Sequence, residues 1–150
     1  METISQNLIA TAEFAAECLK FLNQTSASTE ATVVGLSGEL GAGKTAFTQA
    51  VARALGVRAA VLSPTFVLIK TYPLPKNANW HWRRLVHLDC YRLDQAADLA
   101  KLGWAELSAD SANLIFVEWP ERVAEILPAT TTKIIFEIIG EFTRRISFRS

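Results

Sequence analysis

The sequence predicts one α/β domain over residues 1–150, with a mixed, mostly parallel central sheet flanked by helices. Three observations predict it. Segments with helical spacing alternate with short apolar runs rich in β-branched residues, as strand–helix–strand units do. A glycine-rich stretch, Gly38 to Thr45, joins one such run to the next helical segment. The length of 150 residues fits one domain with a substantial core and leaves no room for a second of ordinary size.

Composition narrows the class. Half of the residues are hydrophobic and 20% are charged, which excludes disordered and low-complexity chains. Fifteen Lys and Arg balance fifteen Asp and Glu, which excludes a strongly basic nucleic-acid module but allows a local patch. Cys18 and Cys90 stand far apart with no CxxC, and are read as reduced thiols of a cytoplasmic protein. The polar stretch Glu2 to Asn7 lacks the regions of a signal peptide. No apolar run approaches the ~20 residues of a membrane span, so no membrane partner is expected.

The elements follow in order. Leu8, Ala12, Ala15, Leu19 and Leu22 recur at steps of three and four, predicting an amphipathic helix over 11–22 with Thr11 as N-cap. Asn23 to Glu30 is a polar linker, and Ala31 to Leu36 a buried strand ending at Gly38. Lys44 to Leu55 has helical spacing and stops at Gly56, a C′ glycine. Val57 to Leu62 and Phe66 to Tyr72 read as strands around Ser63-Pro64-Thr65, and 73–84 as a loop. Leu85 to Asp89 is a further strand, and Asp94 caps a helix to about Leu102, ended by Gly103. The run Leu114 to Val117 is a strand stopping at Glu118, and Glu121 to Ile126 a short helix before Pro128. Lys133 to Ile139 and Arg144 to Phe148 form a closing hairpin.

Gly38-Glu39-Leu40-Gly41-Ala42-Gly43-Lys44-Thr45 matches G-x-x-x-x-G-K-[ST] at every fixed position, between a strand and a helix as the motif requires. A polyphosphate must be wrapped by several backbone N–H donors at once, and glycines permit the necessary turns and close approach. The next helix aims its N-terminal N–H groups at the same anion. Lys44 supplies a cation for the β- and γ-phosphates, and Thr45 a hydroxyl for Mg²⁺. The expected nucleotide-binding segment is therefore Gly38, Glu39, Leu40, Gly41, Ala42, Gly43, Lys44, Thr45 and Ala46.

Such a loop needs an acid at the C-terminal end of a neighbouring strand, and two are available, Glu118 and Asp89. One can hold Mg²⁺ while the other orients or activates water; spacing does not divide the roles. His81, His87 and Cys90 suit no common structural zinc spacing and lack a fourth ligand. The basic and aromatic cluster His81-Trp82-Arg83-Arg84 fits either a solvated loop or a macromolecular contact. Trp104 and Trp119 are read as packing residues, and Arg92 as a candidate cis cation.

The motif set resembles the TsaE (YjeE) family, the small P-loop ATPases of bacterial tRNA threonylcarbamoyladenosine synthesis. The resemblance is carried by Gly38 to Thr45, by Ser63-Pro64-Thr65-Phe66, by His87-Leu88-Asp89-Cys90-Tyr91-Arg92-Leu93, by Gly103, by Glu118-Trp119-Pro120 and by Leu127-Pro128, in that order. It implies a P-loop NTPase-like fold. It implies that Thr45 and Glu118 hold Mg²⁺, that Asp89 supports hydrolysis alongside Lys44 and Glu118, and that Thr65 lies in a switch-like segment. It implies that Thr11 and Arg144 lie near the base of ATP. The partners it implies are TsaD and TsaB, of which TsaD transfers the threonylcarbamoyl group to adenosine 37 of tRNAs reading ANN codons; tRNA itself is expected, if at all, through that complex. Two departures stand out: Thr71 replaces an acid before Tyr72, and the 73–84 loop is longer than is typical of the family. The alternative reading is a small-molecule P-loop kinase, but no arginine-rich lid is visible.

Overall fold

The computed structural model describes residues 1–26, 29–62, 68–76 and 79–150. Seven strands form one sheet in the order β1-β7-β6-β2-β5-β4-β3. They are β1 (Glu2–Ser5), β2 (Thr32–Gly38), β3 (Ile69–Pro73), β4 (Arg84–Asp89), β5 (Asn113–Glu118), β6 (Thr132–Ile138) and β7 (Arg144–Arg149). The neighbours β6, β2, β5 and β4 run parallel, while β3, β7 and β1 join through antiparallel pairs. Parallel central strands are covered on both faces and so read as unbroken apolar runs. Every residue of β5 is buried, as are the first five of β2.

Two apolar layers sandwich the sheet. Helices α1 (Leu8–Thr25) and α2 (Lys44–Ala54) cover one face, packing Phe14, Leu19, Phe47 and Val51 on Leu36 and Phe116. The short helices α3 (Ala96–Ala100) and α4 (Trp104–Ala109) lie with the opposite layer, where Leu99 and Trp104 join Val33, Val86, Ile115 and Val117. Alternate residues of β2 and β5 thus serve opposite layers, the period-two geometry of a strand.

Several boundaries differ from the sequence expectation, each for a local reason. Helix α1 begins three residues early because Asn7, not Thr11, is the N-cap: its Oδ1 accepts from the Ala10 N–H at 2.9 Å. Thr11 sits inside the first turn, buried, with Oγ1 2.7 Å from Ser5 Oγ. The helix also runs into the expected linker as far as Thr25. The polar stretch before it contains strand β1, paired with β7. No strand forms over 57–62; that segment is held instead by Gln49, whose side-chain N–H donates to the Val61 carbonyl at 2.8 Å. The expected helix from Asp94 to Leu102 is shorter and starts after Gln95, with Gly103 in a left-handed turn (φ +86°) leading into α4. Instead of a helix over 121–126 there is a 3₁₀ turn, Pro120–Val123. The Lys133–Phe148 hairpin forms as β6 and β7. Ser63-Pro64-Thr65-Phe66 lies outside the described residues.

The loop between β3 and β4 is neither a simple solvated loop nor wholly a contact surface. Trp82 is fully buried, and its Nε1–H donates to Thr32 Oγ1 at 2.9 Å, under the first residue of β2. Trp80 stacks on it at 6.1 Å. Arg84 pairs with Asp110 and donates to Asn113 Oδ1. Only His81 and Arg83 of the basic cluster are exposed.

Cys18 and Cys90 are free and buried, and burial pushes both thiols up to about 12 from the ordinary 9.0. A folded thiol that keeps its proton while the unfolded one ionises contributes stability that is full below pH 9 and falls as pH rises towards 12. Neither thiol should react with Ellman's reagent at pH 8 in the folded protein, and both should react after unfolding in urea. Trp82→Ala should lower the unfolding free energy by about 3–5 kcal/mol in denaturant titration, and Trp82→Phe by less.

Candidate nucleotide site

The site is built where β2 ends and α2 begins. Gly38 (φ +155°), Gly41 (φ +77°) and Gly43 (φ +103°) occupy backbone regions that side chains disfavour, so the loop can fold back on itself and aim its amides inward. Gly38 is also constrained by packing, since a Cβ there would lie 2.7 Å from the Phe136 carbonyl oxygen. At Gly41 and Gly43 the same position is open.

Lys44 opens α2 and is almost buried, at 5% exposure. Its Nζ donates to the carbonyls of Gly38 at 2.5 Å and Glu39 at 3.0 Å, and stands 4.1 Å over the Trp119 ring. Burial lowers the Lys44 pKa, against the pull of Glu118, Glu121 and Asp89, which favour the charged form. Thr45 Oγ1 donates to Glu118 Oε1 at 2.9 Å, and the same oxygen lies 2.8 Å from His87 Nε2. Asp89 is buried next to Glu118 in register on the parallel pair β4–β5, and its Oδ1 accepts from the Tyr91 N–H at 2.9 Å.

Trp119, read from the sequence as a packing residue, is part of this site. It takes a left-handed conformation (φ +59°), uncommon for a bulky side chain, as the chain leaves β5. That turn puts its ring between Lys44 and Tyr91, whose ring centroid is 5.0 Å away.

Two pockets meet over the loop. One, of about 290 Å³, is lined by the loop from Leu40 to Ala46 together with Asp89, Tyr91, Glu118 and Trp119. The other, of about 250 Å³, lies between β1, α1 and β7 and includes Thr11, Gly41, Ala46, Phe142 and Arg144. Arg144 crosses to the loop, with Nη2 3.5 Å from the Gly41 carbonyl oxygen. Every residue expected at the nucleotide site except Gly38 and Glu39 lines one pocket or the other, and those two hold Lys44 through their carbonyls.

Chemically, the loop amides and the start of α2 suit a polyphosphate. Thr45 and Glu118 offer two hard oxygen donors side by side. That suits Mg²⁺, which keeps waters and shares phosphate oxygens and needs no full protein cage. Tyr91, Trp119 and Phe142 were not picked out by chemistry in the sequence; only Tyr91 and Trp119, inside motifs, carried any signal.

A mixed sheet with a glycine-rich loop between a central parallel strand and a helix defines an α/β domain of the P-loop NTPase type. Comparison with known proteins narrows this. A family model described as "Threonylcarbamoyl adenosine biosynthesis protein TsaE" matches residues 5–146. The tRNA threonylcarbamoyladenosine biosynthesis protein TsaE of Treponema pallidum is 36% identical over 119 residues, 79% of this chain and 82% of the relative. TsaE of Bacillus subtilis is 36% identical over 116 residues, 77% of this chain and 68% of the relative. A crystal structure of Bacillus subtilis YdiB superposes with a TM-score of 0.73 at 29% identity, covering 100% of this chain and 84% of that one. The chain belongs to the TsaE family, whose role lies in tRNA threonylcarbamoyladenosine biosynthesis. Among the described residues no helix is long and apolar enough to cross a membrane.

The glycines differ in what they would tolerate. Gly38→Ala should destabilise the fold by about 2 kcal/mol or more, through backbone strain and collision with Phe136. Gly41→Ala should cost about 1 kcal/mol, for the left-handed backbone alone. Urea midpoints of the two variants check the order.

Proposed function

We propose that this chain is a Mg²⁺-dependent ATPase of threonylcarbamoyl modification at adenosine 37 in tRNAs reading ANN codons, slow alone and coupled to TsaD and TsaB in the cytoplasm. The observation that supports it most is the meeting of Lys44, Thr45, Glu118 and Asp89 in one pocket under the glycine-rich loop.

Phosphoryl transfer is catalysed mainly by positioning and by stabilising charge. The loop amides and Lys44 bind and orient the phosphates. Thr45 Oγ1 and Glu118 would hold Mg²⁺, which would supply positive charge to the phosphate oxygens. One oxygen of Asp89 is engaged by the Tyr91 N–H. Asp89 is the carboxylate that orients the attacking water and takes up its proton, while the water oxygen bonds to the γ-phosphorus, the bond from that phosphorus to the bridging oxygen breaks and ADP departs. Thr11 and Arg144, in the adjoining pocket, take the base and sugar. The family's place in tRNA modification supports a partnered role.

The test is ATP hydrolysis by the purified chain, alone and with TsaB–TsaD. Activity should be low, rise with the partners, and fall by at least about 100-fold in Asp89→Ala. Lys44→Ala should abolish nucleotide binding in calorimetry. Partner-independent turnover would overturn the coupled reading, and phosphate transferred to a small acceptor would overturn it in favour of a kinase.

A further inference from the structure

His87 lies in mid-strand on β4, fully buried on the face that looks towards α2. Leu85, two residues earlier on the same strand, belongs to the apolar layer there, and the residue beside His87 on β5 is Phe116. An aliphatic side chain would satisfy that packing. Histidine is locally unfavourable, because its Nδ1 is buried with no hydrogen-bond partner among the described residues. The contact that compensates is at the other nitrogen, 2.8 Å from Glu118 Oε1. A carboxylate only accepts, which assigns the proton to Nε2. Thr45 Oγ1 donates to the same oxygen. Two donors from different elements therefore converge on Oε1 and fix the rotation of the carboxylate. Among the described residues none donates to Oε2.

We propose that His87 is a positioning residue for the metal carboxylate: its Nε2–H holds Glu118 so that the lone pairs of Oε2 face Mg²⁺. The proposal rests on the assignment of Glu118 as a Mg²⁺ ligand made above. Groups that orient a metal ligand through a hydrogen bond typically change metal affinity ~10–100-fold when removed.

The experiment measures binding of the non-hydrolysable analogue AMP-PNP to the full chain by calorimetry, at saturating Mg²⁺ and in EDTA. The readout is the ratio of the two affinities. His87→Leu should keep the metal-free affinity and lose about 10-fold or more of the Mg²⁺ enhancement. His87→Gln, whose amide N–H reaches the position of Nε2, should recover most of it. His87→Asn, whose shorter amide stops short of Glu118, should behave like His87→Leu, and stands in for it if the leucine variant does not fold. An unchanged ratio in His87→Leu or His87→Asn overturns the proposal. So does an equal loss of metal-free and Mg²⁺-dependent binding in all three variants, which marks packing alone. Glu118→Ala separates the two levels. If it keeps the wild-type ratio, the metal assignment fails, and the role of His87 with it. If it loses the enhancement while His87→Leu keeps it, only the role of His87 fails.

Discussion

One carboxylate oxygen, Glu118 Oε1, ties the end of β5 to the first turn of α2 and to the middle of β4. The site depends on this junction. Thr45 belongs to the helix that carries the glycine-rich loop, His87 to the strand that carries Asp89, and Glu118 to the strand between. A shift of β4 against β5 by one residue would turn His87 to the other face and break the junction, as strand side chains alternate. Register and site geometry are therefore one constraint. Unbroken burial along β5 and most of β2 and β4 enforces it from both faces of the sheet.

The central strands were legible in the sequence because burial on both faces leaves no polar alternation to confuse them. The glycine-rich loop was legible because its chemistry is contiguous. What was not legible depends on partners far away in the chain. Strand β1 is four residues of mixed polarity, and only its pairing with β7 makes it a strand. Residues 57–62 have strand composition but pair with no strand among the described residues, which illustrates how far β-propensity follows context. The apolar spacing already began at Leu8, and the choice of Thr11 over Asn7 as the cap misplaced the start of α1.

The same division runs through the site. Lys44, Thr45, Asp89 and Glu118 could be chosen by residue type and position at strand or helix ends. The ring of Trp119 under Lys44 could not, because it follows from a left-handed residue at the end of β5. Nor could the contact between His87 and Glu118, which follows from the stagger of two parallel strands. The aromatic and basic loop misled differently. Its most conspicuous residue, Trp82, is inside, where it anchors the start of β2.

The pocket beside the loop is closed by segments far apart in the sequence, residues 5–11 and 136–146. Ser147 donates to Glu2 across 145 positions, and Arg144 reaches Gly41 across 103. Domains emerge from the ribosome amino-end first, and contacts of long sequence separation form late. The glycine-rich loop is therefore translated long before its neighbouring wall exists. A nascent chain stalled before Arg144 carries the phosphate motif but only part of the adjoining pocket, so the cleft is complete only once β7 has been made.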